Sequence, residues 1–118
     1  MENLTLTVVT QKEYFDGAMI FLNRLQQDNT VNNPDICDYI NQMCTNDLYE
    51  EIDDETKEKF ITIQINFKNE PQFRVACAFW TAVCAEAREE NPTLYEIGFD
   101  MYYSLIMAYE IEKEEGAL

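Results

Sequence analysis

Pro71 opens a stretch that carries apolar side chains on nearly every face as far as Ala87. At helical spacing, Phe73, Ala76, Cys77, Trp80, Val83, Cys84 and Ala87 form one stripe, while Val75 and Phe79 cover another side. A helix this apolar belongs inside a fold, so the remaining elements must wrap it. The chain has 118 residues, enough for one core, and a single domain spanning 1–118 is expected. Three Gly and three Pro are too few to punctuate an all-β sandwich. The expected architecture is mainly α: a bundle of four to five helices around a buried central helix at about 71–90.

Three further helices read from periodicity and caps. Thr10 and Glu13 have the spacing of a capping box, so the first helix should run from about Gln11 to Gln27. Its stripe is Tyr14, Phe15, Ala18, Leu22 and Leu25, with Gly17 a tolerated weak point. Asn33-Pro34-Asp35 combines a capping side chain, a Pro at the first helical position and an acid facing the helix dipole. That second helix presents Ile36, Ile40, Met43 and Cys44 and should end near Thr45-Asn46. Asn91-Pro92-Thr93, with Glu96 three residues after Thr93, starts the last helix, for which Gly116 is the expected stop.

Residues 47–69 allow two readings. Asp53-Asp54-Glu55-Thr56 resembles an acidic first turn, and residues 48–65 contain no Gly, Pro or Asn to separate elements. Against this, Ile61-Thr62-Ile63-Gln64-Ile65-Asn66-Phe67 alternates without a fault, as a strand does. The segment is read here as a helix. The alternative is a short two-stranded β element pairing residues 4–8, where Leu4, Leu6 and Val8 alternate, with residues 60–67.

Charge narrows function more than any motif does. Asp and Glu total 23 against 8 Lys and Arg, a net charge of -15. Such a surface repels nucleic acid and anionic membranes directly, and it attracts basic proteins. No apolar run approaches the ~20 residues of a membrane span. The chain begins Met1-Glu2-Asn3 without a basic, then apolar, leader, so a cytoplasmic setting, in its own cell or a host's, is expected. There is no histidine, which removes the commonest general base and zinc ligand. Cys37 and Cys44, like Cys77 and Cys84, are seven residues apart. That is about 10.5 Å along a helix, beyond the roughly 7 Å a disulfide can span. Reduced, buried thiols are expected, and no cofactor or metal.

The acidic residues fall into three groups: Asp47, Glu50, Glu51, Asp53, Asp54, Glu55 and Glu58; Glu86, Glu89 and Glu90; and Glu110, Glu112, Glu114 and Glu115. On a helix, Glu50 or Glu51 would share a face with Asp54. With Glu86 and Glu89 as a second pair, this resembles the acidic helical motifs of MazG-type nucleotide pyrophosphatases, which implies Mg²⁺-dependent hydrolysis of nucleotides. No Lys or Arg cluster accompanies these acids to hold a triphosphate. A globule of this length is about 35 Å across, and a DNA duplex of that length carries roughly twenty charges. A net charge of -15 gathered on one face is comparable.

Seven tyrosines add large, stiff contact surfaces, with Tyr49 and Tyr103 expected to be exposed. In size and charge the chain resembles small acidic inhibitors of phages and mobile elements, such as anti-CRISPR and anti-restriction proteins that imitate DNA. The expectation is a non-enzymatic protein that blocks a basic, nucleic-acid-binding protein surface through Asp47, Tyr49, Glu50, Glu51, Asp53, Asp54, Glu55, Glu58 and Tyr103. An immunity protein or antitoxin against a basic toxin is the alternative.

Overall fold

The computed structural model describes residues 3–115, and Gly116, the expected helix stop, lies outside them. The elements, in order, are β1 (Leu4–Gln11), α1 (Lys12–Asp28), α2 (Pro34–Thr45), β2 (Leu48–Ile52), β3 (Lys59–Phe67), α3 (Glu70–Ala87) and α4 (Pro92–Glu114). The strands form one antiparallel sheet in the order β1-β3-β2. The fold is therefore mixed α/β, four helices against a three-stranded sheet, and not a helical bundle.

β3 decides the architecture. Its alternation places Ile61, Ile63, Ile65 and Phe67 on one face, all essentially inaccessible, and Thr62, Gln64 and Asn66 on the other. A helix would spread those four side chains around its circumference and bury fewer of them. Strand pairing satisfies both: β1 matches β3 from Leu4 opposite Phe67 to Gln11 opposite Phe60, and β2 matches it from Leu48 opposite Ile63 to Ile52 opposite Lys59. The residues of β1 alternate in step, with Leu4, Leu6, Val8 and Thr10 inward.

β2 covers β3 only as far as Ile63. Beyond it, side chains of α2 and of Asn46, the residue that follows it, continue the ladder. The Gln42 amide donates to the Asn66 carbonyl (2.7 Å) and accepts from the Asn66 N–H (2.8 Å), and Asn46 Nδ2 donates to the Gln64 carbonyl (2.8 Å). This is how a short edge strand leaves no gap in its neighbour.

All four helices lie on the inward face of the sheet, with α4 along β1 and α3 against α4. Asn33, Asn69 and Asn91 cap α2, α3 and α4, each accepting from a backbone N–H two or three residues on. Thr10 caps nothing. It is the seventh residue of β1, its hydroxyl donates to Asp100 on α4, and the strand passes into α1 through Gln11 with no side-chain cap. At Gly17 an added β-carbon would meet the Ile97 Cδ1 of α4, which would have to swing aside. At Gly98 the added carbon would stand 2.9 Å from the Cys84 sulfur and 3.4 Å from the Trp80 carbonyl. The two glycines let α1 and α3 close on α4.

The core is rich in aromatic rings. Tyr39 stacks on Phe67, Phe67 meets Phe73 edge-on, and Phe73 stacks on Tyr109, so one chain of rings joins α2, β3, α3 and α4. Trp80 donates its indole N–H to the Tyr39 hydroxyl (2.9 Å), which satisfies the most buried polar side chains. Burial pushes the Tyr39 hydroxyl far above its ordinary pKa, so it stays protonated. The expected central helix is α3, yet Ala78, Ala82 and Ala85 face outward. The true centre is β3.

Gln42→Ala strips two partners from the Asn66 backbone. It should cost about 1–3 kcal/mol, read as a lower urea midpoint with an unchanged slope.

Candidate functional site

The acidic segment forms the tip and outer edge of a hairpin. Every residue from Asp47 to Lys59 is exposed, and all five of β2 are. Leu48, Glu50 and Ile52 share the inward face with Ile63, Ile61 and Lys59, since cross-strand partners point the same way. They remain exposed because the helices do not reach beneath β2. Tyr49, 73% exposed, and Glu51 stand on the open face opposite Thr62 and Phe60. Among the described residues no further strand lies on the outer edge of β2, which leaves its outward backbone groups open to pairing.

The turn is built by Asp53 without Gly, Pro or Asn. One carboxylate oxygen accepts from the backbone N–H of Glu55 (2.9 Å) and Thr56 (3.0 Å). The Lys57 N–H donates to the Asp53 carbonyl (2.8 Å), and Lys57 adopts a left-handed φ of 65°. The Asp53 N–H then donates to the Glu58 carbonyl (2.8 Å), closing the loop. The N–H groups of Thr56 and Glu55 hold the Asp53 carboxyl below the usual carboxylate range. One oxygen of the Asp53 carboxylate is therefore engaged in holding the turn. Among the described residues the ion pairs are Lys12–Asp16 and Arg74–Glu70. The other hairpin carboxylates, those of Asp47, Glu50, Glu51, Asp54, Glu55 and Glu58, thus form no ion pair with a described residue.

The structure brings together eight of the nine residues singled out from sequence and leaves Tyr103 apart. Tyr103 is 54% exposed, but it belongs to α4, beside β1, at the opposite edge of the sheet from β2. Sequence reading also misses the floor of the site. A depression of about 550 Å³ on the open sheet face is lined by Thr5, Thr7, Gln42, Asn46, Asp47, Tyr49, Thr62, Gln64 and Asn66. Its signal is the polar half of the two alternating segments, which becomes a surface once both are strands. Apart from Asp47 the lining is neutral and hydrogen-bonding.

The arrangement gives no support to the nucleotide-hydrolase resemblance. Glu50 and Glu51 occupy adjacent strand positions and point to opposite faces, so the helical spacing with Asp54 is not realised. Among the described residues, no three Cys, Asp or Glu side chains gather as a metal ion requires. All four cysteines are free. Cys77 is buried, and burial pushes its thiol up to about 11; Cys44 and Cys84 are raised for the same reason. Cys37 is exposed, contrary to the buried thiol expected there, and its Sγ donates to the Val31 carbonyl. No helix among the described residues is long and apolar enough to cross a membrane. Comparison with protein-family models, curated proteins and solved structures finds nothing that matches this chain.

A carboxyl held below its ordinary pKa supports the folded turn at any pH above the carboxylate range and stops doing so as acid protonates it. The turn should therefore loosen below about pH 4. Asp53→Ala should reproduce that loosening at neutral pH, seen as faster amide exchange at Glu55 and Thr56. Asp53→Asn, whose side-chain oxygen still accepts, should largely preserve the turn.

Proposed function

We propose that this chain is a non-enzymatic binding protein that docks its acidic hairpin on a basic protein surface, one whose own ligand is nucleic acid, and blocks it. One observation carries the reading. Residues 47–59 project as an unbroken exposed segment with seven carboxylates against two lysines, and of those seven carboxylates only that of Asp53 accepts a hydrogen bond from another described residue. A solvated acidic face serves solubility when its charges are scattered. Here they flank a free strand edge and a prominent tyrosine, which supports recognition. Lys and Arg side chains of a partner would meet Glu50, Glu51, Asp54, Glu55 and Glu58. The Tyr49 ring supplies the apolar anchor that charge alone lacks. The outer edge of β2 adds backbone hydrogen bonds to any extended basic segment laid beside it.

The likeness in size and charge to phage and mobile-element inhibitors, including anti-CRISPR and anti-restriction proteins, fits this reading as a class. Such a partner would be met in the cytoplasm, of the chain's own cell or of a host. The long dimensions of the molecule, 39 Å by 39 Å, allow it to fill part of a groove shaped for a duplex.

The test is capture of basic nucleic-acid-binding proteins from cell extract on the immobilised chain, followed by titration of each purified binder. Affinity should fall steeply as salt rises, and added DNA should compete. The quadruple change Glu50→Gln, Glu51→Gln, Asp54→Asn and Glu55→Gln should weaken binding at least about tenfold, since it removes four charge contacts. A flat salt series, or full affinity in the quadruple variant, would contradict the proposal.

A further inference from the structure

A second surface of opposite chemistry lies on α4. Its inward side is Ile97, Gly98, Met101, Ser104, Leu105 and Ala108, all buried. Its outward side carries Tyr95, Phe99, Tyr102, Tyr103 and Met107, with Phe99 and Tyr103 more than half exposed. Tyr95, Phe99, Tyr103 and Met107 follow one another at four-residue intervals, so they form a continuous ridge along the helix. Glu96 and Glu110 mark its two ends. Asp100 sits on the flank, turned to accept the Thr10 hydroxyl. A helix apolar on both sides is a buried helix, and the described residues cover α4 on only one.

We propose that a second copy of this chain covers the outward face of α4, giving a two-fold dimer with the α4 helices antiparallel. The area is sufficient. Four rings with roughly 150–250 Å² each to bury, together with Met107 and Ile111, stand about half exposed and offer on the order of 500 Å² per copy. Two copies remove about 1,000 Å², the size a specific interface requires. The pattern is self-complementary. A seam centred on position 101 sets position 99 against 103 and 95 against 107, ring or thioether against ring, as an isologous contact demands. It brings neither Glu96 nor Glu110 onto its own counterpart. The acids of this region, Glu96, Asp100 and Glu110, stand at the ends and flank of the ridge, so the surface offered for contact is its rings and Met107. What opposes association is the net charge of -15 on each copy. That repulsion fades beyond about 8 Å at physiological ionic strength.

The two surfaces thus respond to salt in opposite senses, which separates this proposal from the one above. Sedimentation velocity of the full chain, over a concentration series at low and high salt, should show a dimer of twice 13.9 kDa that tightens as salt rises. Phe99→Asp and, separately, Tyr103→Asp should each weaken dimerisation at least tenfold with unchanged circular dichroism, since both side chains are exposed. Should one variant misfold, the other carries the test. Glu51→Gln, on the hairpin, should leave the dimer intact. A monomer at every concentration and salt would overturn the proposal, as would a dimer indifferent to both α4 changes.

Discussion

The burial of Ile61, Ile63, Ile65 and Phe67 on one face of β3 is the interaction on which the rest of the molecule depends. Each of these side chains contributes roughly 1.5–3 kcal/mol on removal from water, and together they form the floor onto which all four helices pack. A strand that buries one face so completely cannot stand alone, because its backbone groups need partners on both edges. β1 supplies one edge over its whole length, and β2 with Gln42 and Asn46 supplies the other. The acidic hairpin is thus a consequence of the core. β2 buries nothing of its own and is held by its ladder to β3 and by the turn that Asp53 ties.

Much of this is legible in the sequence, and the parts that are not share a physical cause. Asn33-Pro34 and Asn91-Pro92 announce α2 and α4 because an Asn side chain can reach the free N–H groups of a first turn. The alternation of residues 61–67 is equally plain. It loses to the helical reading only because no Gly, Pro or Asn marks a turn before it. The turn marker is Asp53, whose carboxylate does locally what a turn backbone does, together with Lys57 in a left-handed conformation that a lysine rarely adopts. Thr10 and Glu13 have the spacing of a cap, but a residue engaged in an eight-residue ladder is not free to cap a helix. Local patterns gave way wherever a long-range pairing competed for the same backbone.

The candidate site follows the same division. The carboxylates and Tyr49 stand out from composition, since a run of acids with an aromatic in it must be solvated or bound. That Asp53 belongs to the turn, that Thr5, Thr7, Gln64 and Asn66 floor a depression, and that Tyr103 lies at the far edge of the sheet all depend on strand order. The outward side of α4 is the reverse case. Its aromatic residues are visible in the sequence as helical stripes, and only the fold shows that one stripe is left without cover. The acidic hairpin and the uncovered apolar ridge of α4 therefore stand at opposite edges of one small sheet.

Amide exchange along Leu48–Ile52 tests the central claim most directly. An edge strand paired on one side only has every second N–H bonded to β3 and the others open to water. The account predicts alternating slow and fast exchange through these five residues, beside uniformly slow exchange from Ile61 to Phe67. Uniform protection through residues 48–58, as a helix or a covered edge would give, would contradict it.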